Sequence, residues 1–169
     1  IIQENLSNNL NTLFIDGPGT TSSSAQIWFR AGSSLESPAD FGIAHFLEHM
    51  FFKGTAKRPG PAMAHEVESY GGEINAFTSF DYTCYYINTP AAHLEKTVSI
   101  LLDMVANPLF SESDIPAERE VVFEEYRRSV DNPNQHNFFK IQSACFQDGY
   151  QHAILGQEKT IKNFTREQL

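Results

Sequence analysis

The sequence predicts an α+β fold, a mixed, mostly antiparallel sheet with helices packed on one face. Three observations carry that prediction. Short stretches in which apolar and polar residues alternate mark strands, and two of them lie close enough in sequence to form a hairpin. Longer stretches with apolar residues at spacings of three and four mark helices that bury one face. The composition is that of an ordinary globular chain, 41% hydrophobic and 20% charged over 169 residues, which sets aside disorder and fibrous repeats and fits one domain.

In chain order, residues 10–16 (Leu-Asn-Thr-Leu-Phe-Ile-Asp) read as a strand closed by the turn Gly17-Pro18-Gly19. A second strand over 24–31 alternates Ala25, Ile27 and Phe29 against Gln26, Trp28 and Arg30. From Ile43 to Phe52 the apolar residues are too dense to alternate, and Leu, Met and His within the run suit a buried helix. Residues 63–70 form a short helix stopped by Gly71-Gly72. Strands over 73–80 and 82–88 make the hairpin, with Asp81 near its turn. Pro90 opens a helix carrying Leu94, Val98, Leu101, Leu102 and Val105 at the helical period, and Asn107-Pro108 ends it. Helices follow over 114–130, with Pro116 tolerated in the first turn, and over 134–146. Thr165 and Gln168 have capping-box spacing, the signature of a helix start, so the chain reads as trimmed at its C-terminus. Its N-terminus, Ile1-Ile2-Gln3-Glu4-Asn5, reads as processed.

Charge narrows the function classes. Lys and Arg number 12 against 21 Asp and Glu, a net charge of −9. Nucleic acid and anionic membrane surfaces both require clustered basic charge, and Lys53 to Arg58 is too short a basic stretch to provide it. No apolar run approaches the ~18–20 residues of a membrane span. Cys84 and Cys145 cannot build a disulfide framework and read as free thiols, with a single bridge or a metal ligand as alternatives.

The sharpest feature is His45-Phe46-Leu47-Glu48-His49. Residues four apart share a helix face, so His45 and His49 can offer two imidazoles to one metal ion while Glu48 projects beside them. This H-x-x-E-H order reverses that of the commoner zinc peptidases. A site of this type needs a third protein ligand and an open fourth position. Ile115, Glu118, Val122, Glu125 and Ser129 form one stripe of the helix over 114–130, and carboxylates on a stripe shared with Ile115 and Val122 are costly to bury unless a cation meets them. Helical geometry serves a solvated acidic face equally well, because Glu120 and Glu124 are close by. His65, His93, His136 and His152 lie outside any ligand spacing and read as surface or structural.

Four blocks of the chain resemble, in order, the N-terminal part of the pitrilysin-type (inverzincin) metallopeptidases, the family of insulin-degrading enzyme and mitochondrial processing peptidase. They are Phe29-Arg30-Ala31-Gly32-Ser33; the run from Gly42 to Thr55; Gly71 to Thr78 with Tyr82 to Tyr86; and Glu118 to Glu125. The resemblance implies a processing-peptidase-like fold for 1–169 as an N-terminal metal-binding domain whose second, homologous domain is absent. It implies a zinc endopeptidase acting on peptides or unfolded segments, with Zn2+ held by His45, His49 and Glu125; Glu125 lies at the family's spacing beyond the second histidine (125 − 49 = 76). By the same resemblance Glu48 is the general base, Glu118 supports the metal site without binding the ion, and Asn75, Ala76 and Phe77 lie on an edge strand that pairs with substrate backbone. A second half or partner subunit would supply an Arg and a Tyr, the assembly would be a dimer, and the segment alone would have little or no activity. The setting implied is soluble and bacterial, cytoplasmic or periplasmic, with an organellar one as the alternative. Asn9 departs from the family's usual Gly, and the stretch from Gly149 to Gly156 is shorter than usual. Two other readings are a non-catalytic, peptide-binding relative and an S-ribosylhomocysteine-lyase-like enzyme, in which Cys84 or Cys145 would complete the metal site.

Overall fold

The structure is a computed structural model and describes residues 1–169. Its frame is a three-stranded antiparallel sheet in which β5 (Thr83–Pro90) lies between β3 (Ser22–Phe29) and β4 (Glu73–Thr78). Register places Ile27, Tyr85 and Ala76 side by side, with Ala25, Ile87 and Ile74 as the next row on the same face. Those rows pack on the helices. The alternate residues Trp28, Cys84 and Phe77 form a row on the other face, where the rings of Trp28 and Phe77 meet edge to face at 5.7 Å. The period-2 pattern that marks β3 in the sequence therefore separates a helix-covered face from an aromatic one. Every strand pairing is antiparallel.

A separate hairpin joins β1 (Ile2–Asn5) to β2 (Asn11–Phe14). Its turn holds Asn9 at φ 64°, left-handed backbone that asparagine tolerates better than most residues. Sequence reading finds β2 and misses β1, four residues with every side chain exposed and no alternation to see.

Helices α1 (Ile43–Phe51), α2 (Ala62–Glu68) and α3 (Leu94–Ala106) cover one face of the sheet. Phe51, Met63, Val67, Ile100, Leu101 and Met104 join Tyr85 and Ile87 in the first core. The second core lies between α1, α4 (Asp114–Asp131) and the C-terminal segment, where Phe46, Met50, Ile115, Val122 and Phe123 meet Ile161 and Phe164. Helix α1 is thus gripped on two sides, and each fully buried side chain such as Phe46 or Met50 contributes roughly 1.5–3 kcal/mol to holding it.

The start of α1 is as tightly fixed. Gly42 has φ 95°, and a Cβ there would fall 2.7 Å from the Leu155 carbonyl oxygen, so both conformation and space require glycine. The Glu36 carboxylate accepts from Gly42 N–H at 2.7 Å and Ala44 N–H at 2.9 Å, satisfying two of the helix's free donors. Helix α5 (Pro133–Cys145) has Asn132 as its N-cap, accepting from the N–H groups of Asn134 and Gln135, with Pro133 at the first helical position. The expected helix start at Pro90 is corrected: Pro90 ends β5 opposite Ser22, a short 3-10 turn over Ala91–His93 follows, and α3 begins at Leu94. A proline can close a strand because the terminal position needs no ladder donor. The Thr165–Gln168 capping box is present but closes only a 3-10 turn, and the one-turn α6 (Glu158–Ile161) has no periodicity to read. No helix is long and apolar enough to cross a membrane.

Candidate metal centre and active site

Helices α1 and α4 pack against each other, and their facing stripes bring His45, His49 and Glu125 together: one nitrogen from each ring and one carboxylate oxygen all lie within 4.8 Å of one another. The Glu125 Oε2 atom is 3.7 Å from His45 Nε2 and 3.5 Å from His49 Nε2. Both separations exceed the 2.7–3.2 Å of a good hydrogen bond. They are close to the ~3.4 Å that separates two ligands of a tetrahedral zinc ion with bonds of about 2.05 Å. The three atoms converge on a point instead of pairing with each other. Two imidazoles and a carboxylate are, moreover, a donor set suited to zinc. These residues fit the ion that the motif implies.

The stripe on α4 separates into two environments. Glu118 is buried, its side chain 7% exposed, and its Oε1 accepts from His49 Nδ1 at 2.7 Å. A carboxylate can only accept, so His49 Nδ1 carries the proton of that bond, and the ring is held with Nε2 facing Glu125. The other oxygen of Glu118 pairs with the Lys53 ammonium. Glu125, one heptad later, is 45% exposed and faces the two Nε2 atoms. Glu124 points elsewhere, paired with Arg127 on the outer surface.

Electrostatics differ sharply between the two rings. Burial, reinforced by the neighbouring His49, pushes His45 below the usual histidine range, so it is neutral and can donate a lone pair. Burial also opposes charge on His49, but the hydrogen bond to Glu118 and the negative charges of Glu118 and Glu125 outweigh it and raise the pKa. Burial raises Glu48 above the ordinary carboxylate range, against a hydrogen bond from Thr78 that works the other way. A carboxylate tuned upward beside a metal cluster suits proton transfer near neutral pH. The Oε2 atom of Glu48 accepts from the Thr78 hydroxyl at the end of β4.

Asn75, Ala76 and Phe77 lie on that same strand, the free edge of the sheet. The Ala76 N–H is not taken up by β5; the Asn75 side chain accepts it at 2.8 Å, so the edge carries its own cap. Thr78 is the residue through which β4 reaches the helix bearing the histidines. Cys84 is buried and Cys145 exposed; both are free thiols, and neither belongs to the convergent cluster. Three partners escaped sequence reading. Thr78 stood in a matched block with no role, Lys53 lies one turn past His49, and Glu36 pairs with His152, 116 residues away, at 3.2 Å. None of the three leaves a spacing signal, because each meets its partner across the fold.

Comparison with known proteins identifies the family. A family model described as insulinase (peptidase family M16) matches residues 11–158. The chain is 37% identical over 163 residues to an uncharacterized zinc protease of Rickettsia bellii, covering 96% of this chain and 40% of that protein. It is 38% identical over 148 residues to the mitochondrial-processing peptidase subunit beta of Dictyostelium discoideum, covering 86% of this chain and 32% of that one. A protease from Helicobacter pylori superposes with a TM-score of 0.92 at 30% identity, over 97% of this chain and 40% of that chain. The chain thus spans between about a third and two fifths of the length of relatives such as these. Its α+β half with helices on one face of an antiparallel sheet, its H-x-x-E-H helix and the family match together establish that this chain belongs to the insulinase family of metallopeptidases, peptidase family M16.

Proposed function

We propose that this chain carries the metal site of a zinc-dependent endopeptidase that cleaves peptides or unfolded segments. The observation that carries the reading is the convergence of His45, His49 and Glu125 beside a carboxylate, Glu48, that is held by a hydrogen bond and raised in pKa. When bound, zinc supplies a water acidified to roughly pKa 7 and a Lewis acid for the scissile carbonyl. Glu48 takes the water's proton through Oε1, the oxygen that Thr78 leaves free, and hands it to the departing amine. Glu118 acts through His49, fixing its tautomer and ring plane. Substrate backbone adds to the free edge of β4 at Asn75, Ala76 and Phe77, the Asn75 amide exchanging its bond to Ala76 N–H for one to the incoming strand.

The chain spans between about a third and two fifths of these relatives, so a second half or partner subunit, contributing an Arg and a Tyr to the tetrahedral intermediate within a dimer, belongs to this proposal. The test uses the full-length protein. Zinc should co-purify at about one ion per chain, and Glu48→Gln should keep that ion while losing about 10³-fold in peptide hydrolysis. A Glu48→Gln variant that cleaves at near wild-type rate contradicts the role of Glu48. Zinc content near zero in the wild type favours a non-catalytic peptide-binding relative instead.

A further inference from the structure

The geometry points to Thr78 as the positioning residue for the general base, tying the orientation of Glu48 to the strand that receives substrate; this rests on the peptidase reading above. Glutamate has three rotatable side-chain bonds, and helix α1 fixes only the first atoms of Glu48. The hydroxyl of Thr78 is its one side-chain hydrogen-bond partner, binding Oε2 and leaving Oε1 for chemistry. Threonine is suited to that task because branching at Cβ restricts χ1, so the strand backbone dictates where the hydroxyl points.

The mount itself is rigid. Thr78 is the last residue of β4, opposite Thr83 on β5, and the Thr83 hydroxyl donates in turn to the Ala31 carbonyl at 2.9 Å. The hairpin turn beyond it is closed by Ser79 N–H to the Tyr82 carbonyl at 2.8 Å. Ser33 and Ser34 N–H brace the same turn, donating to the carbonyls of Ser79 and Phe80 at 3.1 and 2.9 Å. Residues alternate along β4, so Ala76 and Thr78 face the helices while Asn75 and Phe77 lie on the opposite face. One strand therefore offers its outer edge to peptide backbone and its inner face to the base. A peptide that pairs with the edge and the carboxylate that acts on it are then referenced to the same four residues. Misplacing a catalytic group by about 1 Å costs on the order of 10²-fold in rate.

The experiment compares Thr78→Val, which keeps the shape and loses the donor, with Thr78→Ser, which keeps the donor, in the full-length protein. Steady-state hydrolysis of a quenched fluorescent peptide, zinc content and melting temperature are measured for both. The inference expects Thr78→Val to lose about 10–100-fold in kcat with KM unchanged. Its zinc content and melting temperature should match wild type, and Thr78→Ser should recover to within about threefold. An unchanged kcat in Thr78→Val overturns it, as does an equal loss in Thr78→Ser, which would assign the effect to packing of the branched side chain. Loss of zinc in Thr78→Val also overturns it, by making Thr78 part of the metal site's support. Failure of the wild type to hydrolyse peptide while Glu48→Gln and wild type bind zinc alike overturns the peptidase reading itself, and the positioning role with it.

Discussion

Two groups of polar side chains, one anchored by Thr55 and Arg58 just after Gly54 and one by His45 and His49 just before it, are built in different ways. On one side Asp103 of α3, its side chain 5% exposed, accepts from Thr55 Oγ1 at 2.8 Å, Arg58 at 2.7 Å and Asn107 at 3.1 Å, while Arg58 Nε reaches Glu66 at 2.7 Å. Burial works against the ionised carboxylate, and those three hydrogen bonds overcome it, holding Asp103 below the ordinary range. Donors and acceptors there match at normal hydrogen-bond lengths, and the charge is neutralised within the chain. On the other side, His45, His49 and Glu125 sit 3.5 to 3.7 Å apart, too far to satisfy one another and spaced to share a cation. The supporting Glu118 is closed in the manner of Asp103, by Lys53 and His49. The Asp103 network is thus closed within the chain, whereas the His45, His49 and Glu125 group is not closed by its own members.

That contrast predicts that the two groups fail differently. The largest effect falls on the metal: Glu125→Gln or His45→Ala should weaken zinc affinity by well over the ~100-fold typical of outer-shell changes. Melting of the metal-free protein should barely move, which chelator competition and calorimetry together would establish. Asp103→Ala should do the reverse. Removing the acceptor shared by Arg58, Thr55 and Asn107 should cost about 1–3 kcal/mol of stability by denaturant unfolding, with zinc affinity intact. Lys53→Met probes the boundary between the two, because Lys53 touches Glu118 and not the convergent atoms; a 10–100-fold loss of zinc affinity is expected, on the order seen when an outer-shell partner is removed.

The last effect is a pH slope from a third buried carboxylate. Glu36 caps α1 and lies against His152 and near Asp40; burial, added to by Asp40, raises its pKa to about 7 despite the two backbone donors. Burial lowers His152, so their 3.2 Å contact is a hydrogen bond between groups that both resist charge. A pKa higher in the folded state than in the unfolded chain means that the folded state holds the extra proton between about 4.5 and about 7. Stability therefore falls as pH rises through that window, by about 3 kcal/mol from this group, and Glu36→Gln should flatten the slope. Urea unfolding of both proteins at pH 5 and pH 8 would read it.

Much of this was legible in the sequence because it was local. The H-x-x-E-H helix, the hairpin of β4 and β5 and the Ile115–Ser129 stripe each follow from spacing along one element. The stripe could not by itself distinguish buried from solvated carboxylates, and burial settles that Glu118 lies inside while Glu120 and Glu124 lie outside. What stayed hidden was tertiary: the Thr78 hydroxyl meets a carboxylate 30 residues away, and Glu36 meets a histidine 116 residues away. The missed β1 was hidden for another reason, since a strand exposed on both faces has no apolar period.

Zinc K-edge absorption on the freshly purified full-length protein tests the central claim most directly, because it counts the donors the cluster supplies. The expected spectrum is that of one ion per chain ligated by two imidazole nitrogens and by oxygen at about 2.0–2.2 Å, with no sulfur. A sulfur neighbour at about 2.3 Å, or no bound zinc, would contradict it.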